Sequence, residues 1–205
     1  MRITPAAKEE TRQRILAAAI DQFRQRGFEA ATTRDIARQA RIASGTVFNY
    51  FPSKEAIVLA LAADALNGAG EDFANCRRSG ASLEEELFLH VSSGLRRLKR
   101  HRTYLQVFVQ AALSPLVIVG ASGDVDAIRV NHLQQAQEIH SDHNQPEMSA
   151  VATQLYWTLY LGLLSYWTAD QSPKQEDSLA LLDQSVSMFC EWLRRESSDQ
   201  TREEP

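Results

Sequence analysis

The 205-residue chain has little cysteine and few residues that break helices. Nine glycines and six prolines make up about 7% of it, against roughly 12% in average usage. That scarcity excludes a collagenous chain and argues against a turn-rich β-sandwich. Only two cysteines occur, Cys76 and Cys190, so a disulfide framework is excluded as well. No apolar run follows Met1, because Lys8, Glu9 and Glu10 arrive too early for a secretory signal. The expectation is a cytoplasmic protein whose thiols are reduced and packed inside it. Enzyme signatures are missing too: no G-x-S-x-G, no G-x-G-x-x-G, no P-loop and no H-E-x-x-H. No cofactor is called for.

Charge is absent from Met148 to Ala169, long enough to cross a bilayer. The stretch nevertheless carries Ser149, Thr153, Gln154, Thr158, Ser165 and Thr168 and has no basic flank. A helix buried in a bundle accounts for it better, and no membrane partner is expected.

What is present is helical periodicity and a lopsided charge. Residues 1–65 hold ten Lys/Arg against seven Asp/Glu, a net +3, and residues 66–205 carry −7. A basic head on an acidic body fits a nucleic-acid reader with a second function behind it. In the first helix, Leu16, Ile20 and Phe23 share one face with Ile15 and Ala19, and Gly27 ends it. A short second helix starts at Thr32 or Thr33, where Thr32-x-x-Asp35 resembles a capping box. A third spans about Ser44–Phe51, with Val47 and Phe51 turned to the core, and Pro52 is expected at the first position of a fourth. Further helices are expected over Ser82–Arg100, Tyr104–Leu113, Asp124–Asp142, Glu147–Ala169 and Glu176–Arg195, with Leu116–Gly123 as an apolar connector. Gly68, Gly70 and Gly80 loosen the segment after the fourth helix. The fold class is all-α with about nine helices: residues 1–55 a three-helix, helix-turn-helix DNA-binding module, residues 56–205 a larger helical bundle, to which the resemblance described below assigns ligand binding and dimerisation.

Within the head, Thr33-Arg34-Asp35-Ile36-Ala37 and then Gly45-Thr46-Val47-Phe48-Asn49-Tyr50-Phe51-Pro52-Ser53-Lys54-Glu55 resemble the N-terminal signature of the TetR family of transcriptional regulators. The resemblance covers about Thr11 to Leu61. It implies that Thr33, Thr46, Tyr50 and Lys54 lie near phosphates, with Arg34 beside them on the DNA side. It likewise puts Ser44, Gly45, Phe48 and Asn49 near base edges. The chain departs from the family in the turn, with Arg41 where Gly is usual and Ala43 where Ser is usual. If position 41 is left-handed, Arg strains it. With no Ser at 43, capping of the third helix passes to Ser44.

The resemblance also implies a dimer built from the last two helices. Leu179, Leu182, Val186, Phe189 and Leu193 have the spacing of a helix–helix seam. Leu155, Leu159, Gly162, Leu163 and Tyr166 are its candidate partners. An intrachain core explains the same spacing. Phe73, Phe88, Tyr104, Phe108, Tyr156, Trp157 and Tyr160 are candidates for the effector pocket that the family places among its middle helices; plain packing explains any one of them. His132, His140 and His143 fall on one helix face that reads as polar and solvated, so no metal site is assigned. Arg96–Arg102 reads as a solvated helix end that complements the dipole, and Glu84–Glu86, in a first helical turn after Ser82, needs no function for the same dipole reason.

The expected function is therefore a ligand-responsive repressor that binds a near-palindromic operator as a homodimer and leaves it on binding a small-molecule effector. Alternatives are an activator of the same architecture and, from another class, a helical-bundle metal protein or enzyme.

Overall fold

The structure, a computed structural model, describes residues 4–113 and 122–203. Those residues form nine α-helices and no strand: α1 Pro5–Arg26, α2 Thr33–Gln39, α3 Ser44–Tyr50, α4 Lys54–Cys76, α5 Leu83–Leu98, α6 Gln106–Leu113, α7 Ser122–Asp142, α8 Ala150–Ala169 and α9 Glu176–Glu203. Short 3-10 turns occupy Lys99–Tyr104 and Pro173–Gln175. Most of the expected connector Leu116–Gly123, and the expected helix stop at Ser114-Pro115, lie outside the described residues.

The chain divides into two compact units. The first combines Met1–Asp64 with Arg100–Val125, and the second combines Ala65–Lys99 with Asp126–Pro205. The first unit therefore runs past the expected boundary at residue 55. The physical reason is burial: Ala56, Ile57, Val58, Ala60 and Leu61 of α4 belong to the same core as α1–α3. Tyr104 joins them from far along the chain, its ring tilted against Phe23 with centroids 4.9 Å apart. From α1, Ile15, Leu16, Ala19 and Phe23 face this core, as the spacing predicts. Arg12 clasps Asp64 through both guanidinium nitrogens at 3.1 and 3.2 Å.

Gly27 closes α1 with φ +78°, a conformation that costs a side chain but not glycine. Thr32 caps α2: its hydroxyl accepts from the Asp35 N–H at 3.1 Å and donates to the Asp35 carboxylate at 2.7 Å. Two sequence expectations are corrected at the following helices. Helix α3 is capped by no side chain, because Ala43 takes the N-cap position and Ser44 is already helical. Helix α4 begins at Lys54, not at Pro52, and the Ser53 hydroxyl accepts from the Ala56 N–H at 3.1 Å.

Arg41 does occupy a left-handed conformation, with φ +56°. The turn thus carries two small penalties that substitution removes. Arg41→Gly and Ala43→Ser are each expected to raise stability by about 1 kcal/mol, read as a higher urea midpoint at unchanged slope. A midpoint that stays put in both variants would mean the turn is unstrained.

In the second unit, α4 runs through Gly68 and Gly70 without a break. A methyl group at Gly68 would approach the Arg97 guanidinium to 3.2 Å, and one at Gly70 would approach the Gln135 amide to 3.1 Å, so both glycines make room for polar side chains. Ser82 and Glu85 form a full capping box on α5. Leu87, Val91, Leu95 and Leu98 are all buried, as their spacing predicts. Helix α9 packs against both α5 and α8. Of the cysteines, Cys190 is buried but Cys76 is exposed at the end of α4, which corrects the expectation that both pack inside.

Candidate functional site

Helix α3 is a short rod held by one side chain and bared on the opposite side. Val47 is fully buried, while Gly45, Asn49 and Phe48 are exposed, Phe48 by 51%. Half in water, the Phe48 side chain contributes little to the core and is open to contact from outside. Ser44, Thr46 and Tyr50 are half-buried, and Tyr50 leans on the unit's core. Gly45 needs neither a positive φ nor room within the protein, since a Cβ there would meet nothing within 4 Å.

Around α3, Thr33 is half-buried and Arg34 exposed. Arg26 and Arg38 are both committed to Asp35, at 2.9 and 2.7 Å. The Thr32 hydroxyl, together with those two cations, holds the Asp35 carboxyl below its ordinary value. Arg34 and Arg41 are exposed and form no ion pair among the described residues. Sequence reasoning treated Arg41 only as a misfit in the turn; its exposure beside the start of α3 is the signal it lacked. Lys54 is placed differently from the expectation of an open ammonium. Its Nζ donates to the carbonyls of Phe28 and Glu29 at 2.8 and 3.2 Å and lies 4.3 Å from the Phe28 ring centre. It thereby ties the start of α4 to the α1–α2 connection.

The second unit gathers four of the seven pocket candidates around two histidines. His90 Nε2 and His132 Nδ1 are 3.1 Å apart. The His132 ring stacks on Tyr160 at 3.8 Å and lies 5.5 Å from Tyr156 and 6.1 Å from Trp157, while Phe73 meets His90 edge-on. Phe88 lies apart from this cluster, and Tyr104 and Phe108 are buried in the first unit. Burial pushes His90 down to about 4 and His132 well below its ordinary value, and it pushes both tyrosines up, so every group here is neutral at pH 7. His132 Nε2 and the hydroxyls of Tyr156 and Tyr160 are buried with no hydrogen-bond partner among the described residues. The adjoining crevice, which both tyrosines line, holds about 20 Å3, room for one water.

The histidine face expected to be solvated is therefore corrected: His132 and His140 are buried, and His143 Nε2 donates to the Glu86 carboxylate at 3.1 Å. Among the described residues no three metal-ligating side chains converge. Glu86, read from the sequence only as a first-turn acid complementing the helix dipole, is buried and bound by Arg77 at 2.5 and 2.7 Å.

The dimer seam needs correcting as well. Leu182, Val186, Phe189 and Leu193 of α9 are buried within the chain, where α9 packs on α5 and α8, and Leu163 of α8 is buried as well. What stays open on α8 is Val151, Gly162 and Tyr166, with Leu155 and Leu159 half-buried between them, one stripe at spacings of four, four, three and four. On α9 it is Leu181 and Met188, with Leu179 nearer its start. A Cβ on Gly162 would meet nothing within 4 Å.

Two family models match this sequence. Residues 15–61 match the N-terminal domain of bacterial regulatory proteins of the tetR family, and residues 87–203, more than half the chain, match the tetracyclin repressor-like C-terminal domain. The chain belongs to the TetR family. The family is one of bacterial regulatory proteins, and the two short helices α2 and α3 of this chain form its helix-turn-helix. Over 55 residues it is 42% identical to the HTH-type transcriptional repressor KstR2 of Mycolicibacterium smegmatis, covering 27% of each chain. Over 53 residues it is 40% identical to the transcriptional regulator UidR of Escherichia coli K12, covering 26% of this chain and 27% of that one. The matched part thus spans about a quarter of the length of these curated relatives. Over nearly the whole chain, the fold is similar to Thermus thermophilus FadR, a TetR-family repressor solved with lauroyl-CoA, at TM-score 0.71 and 24% identity, covering 87% of this chain and 93% of that one. It is also similar to a TetR regulator from Rhodococcus sp. RHA1 at TM-score 0.69 and 18% identity, covering 89% and 97%. No helix among the described residues is long and apolar enough to cross a membrane.

Proposed function

We propose that this TetR-family protein is a repressor that grips a near-palindromic operator as a homodimer and lets go when a small molecule enters the aromatic cluster around His132. The observation that carries the DNA half is α3 itself, with Gly45, Phe48 and Asn49 bare over a buried Val47. In this reading, Ser44, Gly45, Phe48 and Asn49 meet base edges. Thr33, Arg34, Arg41, Thr46 and Tyr50 meet phosphates, and Lys54 contributes mainly by fixing the turn that carries them. The repressor assignment follows the name of KstR2, and no feature of the chain favours an activator. Repression needs no chemistry: the bound dimer obstructs transcription, and a ligand with unequal affinity for two spacings of the reading heads shifts the population off the operator.

The effector half rests on the buried, unpartnered polar atoms of His132, Tyr156 and Tyr160. FadR of Thermus thermophilus and FadR of Bacillus subtilis were solved with lauroyl-CoA and stearoyl-CoA, so bodies of this fold do take ligands. A buried hydroxyl with no partner costs about 1–3 kcal/mol, whereas the matching apolar ring costs nothing of the kind. Tyr156→Phe with Tyr160→Phe is therefore expected to leave the melting temperature unchanged or raise it, while blunting the response to effector. A melting temperature several degrees lower would make the two hydroxyls structural.

Selection from random duplex DNA tests the reading as a whole. The expected product is a near-palindrome with half-sites about one helical turn apart, or a multiple of it. Asn49→Ala should then relax preference at one position in each half-site by roughly 1–3 kcal/mol while leaving the salt dependence unchanged. Failure to enrich any sequence would end the DNA-binding reading; equal losses on specific and scrambled duplexes would move base readout to Ser44, Thr46 or Phe48.

A further inference from the structure

A groove of about 250 Å3 lies on the second unit, bordered by α5, the end of α8 and the start of α9. Its floor is apolar: Leu95 and Trp167 are buried, Phe88 is half-buried and Leu179 is 40% exposed. Three exposed cations, Arg96, Lys99 and Lys174, stand along it, and no carboxylate lines it. None of the three forms an ion pair among the described residues. Arg96 Nη2 donates only to the Ser93 hydroxyl at 2.8 Å, and the nearby Asp72 is taken by Arg97 at 2.6 Å.

The surroundings make that grouping unusual. The sequence from residue 66 onward carries −7, and the neighbouring cleft, which shares Phe88 and Arg96 with the groove, is bordered by Glu84, Glu85, Glu86 and Asp183. The carboxylates of that cleft stand on the other side of Arg96, and Glu176 and Asp177, which follow Gln175 in sequence, do not line the groove. Like charges gathered without counter-charges repel, so the arrangement gains when an anion sits among them. The backbone that presents Lys174 points the same way. Lys174 and Gln175 both adopt left-handed conformations, φ +56° and +59°, which non-glycine residues disfavour and which cluster at ligand clamps.

We propose that this groove binds a small anionic amphiphile, its head held by Arg96, Lys99 and Lys174 and its tail laid over Trp167 and Leu95. The site is separate from the aromatic cluster around His132 and adds a second ligand to the regulator reading. Its volume falls below the 300–1,000 Å3 usual for drug-sized ligands, which fixes the tail as a short one. A guanidinium matches the two oxygens of a carboxylate or phosphate edge, and the two ammonium groups add point charge without demanding orientation.

Octanoate, titrated into the full-length protein with tryptophan fluorescence as the signal, is the probe. It is expected to bind saturably, octanol about tenfold more weakly or worse, and octyltrimethylammonium not at all, with octanoate affinity falling as salt rises. Arg96→Glu and Lys174→Glu, both on the surface, should each lower octanoate affinity by about tenfold or more while keeping the wild-type melting temperature. Absence of saturable octanoate binding to folded protein overturns the proposal, as does equal affinity for octanol. Octanoate binding that ignores both charge reversals also overturns it, because the anion then sits elsewhere, for instance inside the aromatic cluster. Sedimentation with phosphatidylglycerol vesicles provides the last arm: vesicle binding without octanoate binding replaces the soluble amphiphile with a lipid surface. DNA selection is independent of all these outcomes, so the site can fail while the regulator reading stands.

Discussion

Gly162→Glu together with Met188→Glu is expected to yield a folded monomer that has lost tight operator binding. Both positions lie on the open stripes of α8 and α9, and neither side chain touches the core: Met188 is 60% exposed, and a Cβ at 162 meets nothing. Replacing a helix-interior glycine should, if anything, help α8, since glycine lies about 1 kcal/mol below alanine in helix propensity. The monomer fold therefore survives. Two like charges facing their copies across a two-fold axis cannot be desolvated cheaply, and the dimer comes apart. Each reading head must then find its half-site alone, and the linked advantage of about 10²–10⁴-fold disappears. Sedimentation and operator titration on one sample read both effects. The same charge at Val186 or Phe189 should unfold the second unit instead, because those side chains are 6% and 2% exposed within one chain. A dimeric double variant would move the partner surface away from α8 and α9.

The next largest effect is expected at Glu86. Its carboxylate is 5% exposed and accepts two hydrogen bonds from Arg77, which also reaches Asp142 at 2.7 Å. Burial alone would push the Glu86 carboxyl up, but hydrogen bonds from Arg77 and His143 outweigh it and leave the carboxyl below its ordinary value. A depressed carboxyl stabilises the fold above the unfolded-state pKa, and the contribution is lost as pH falls through the folded-state pKa. Breaking a fully buried pair costs about 3–5 kcal/mol; Arg77 is one-third exposed and keeps Asp142, so Glu86→Gln should cost about 2–3. That corresponds to a melting temperature lower by about 5–10 °C for a chain of this size. The difference from wild type should be full at neutral pH and shrink in the acid range. A difference that is the same at every pH would make the effect one of shape and not of charge.

Much of this was legible because helices announce themselves locally. The stripe Leu16–Ile20–Phe23, the Thr32 cap and the inward pair Val47 and Phe51 each depend on residues within a turn or two, and each is where its spacing puts it. The misses are long-range. Leu182, Val186 and Phe189 have the spacing of a seam whether the other side is a second chain or α5 of the same one, and only burial tells these apart. The contact of Tyr104 with Phe23 spans most of the first unit's sequence and leaves no periodic trace. Lys54 bears the same signature whether its ammonium faces a phosphate or the carbonyls of Phe28 and Glu29. His90 and His132 stand 42 residues apart, each unremarkable alone; their pairing exists only once α5 and α7 lie side by side.

That pairing gives the interior a choice of sign without a change of charge. Two neutral imidazoles joined through His90 Nε2 and His132 Nδ1 share one proton between them. When it rides on His90, the second nitrogen of His132 carries its own hydrogen and presents a donor to the space beside Tyr156 and Tyr160. When it rides on His132 Nδ1, His90 holds its own hydrogen on Nδ1 and the same His132 Nε2 presents a lone pair. A guest in the proposed effector site would therefore select the tautomer: a ketone would take the donor and an alcohol could use the lone pair, with no ion formed in the apolar interior.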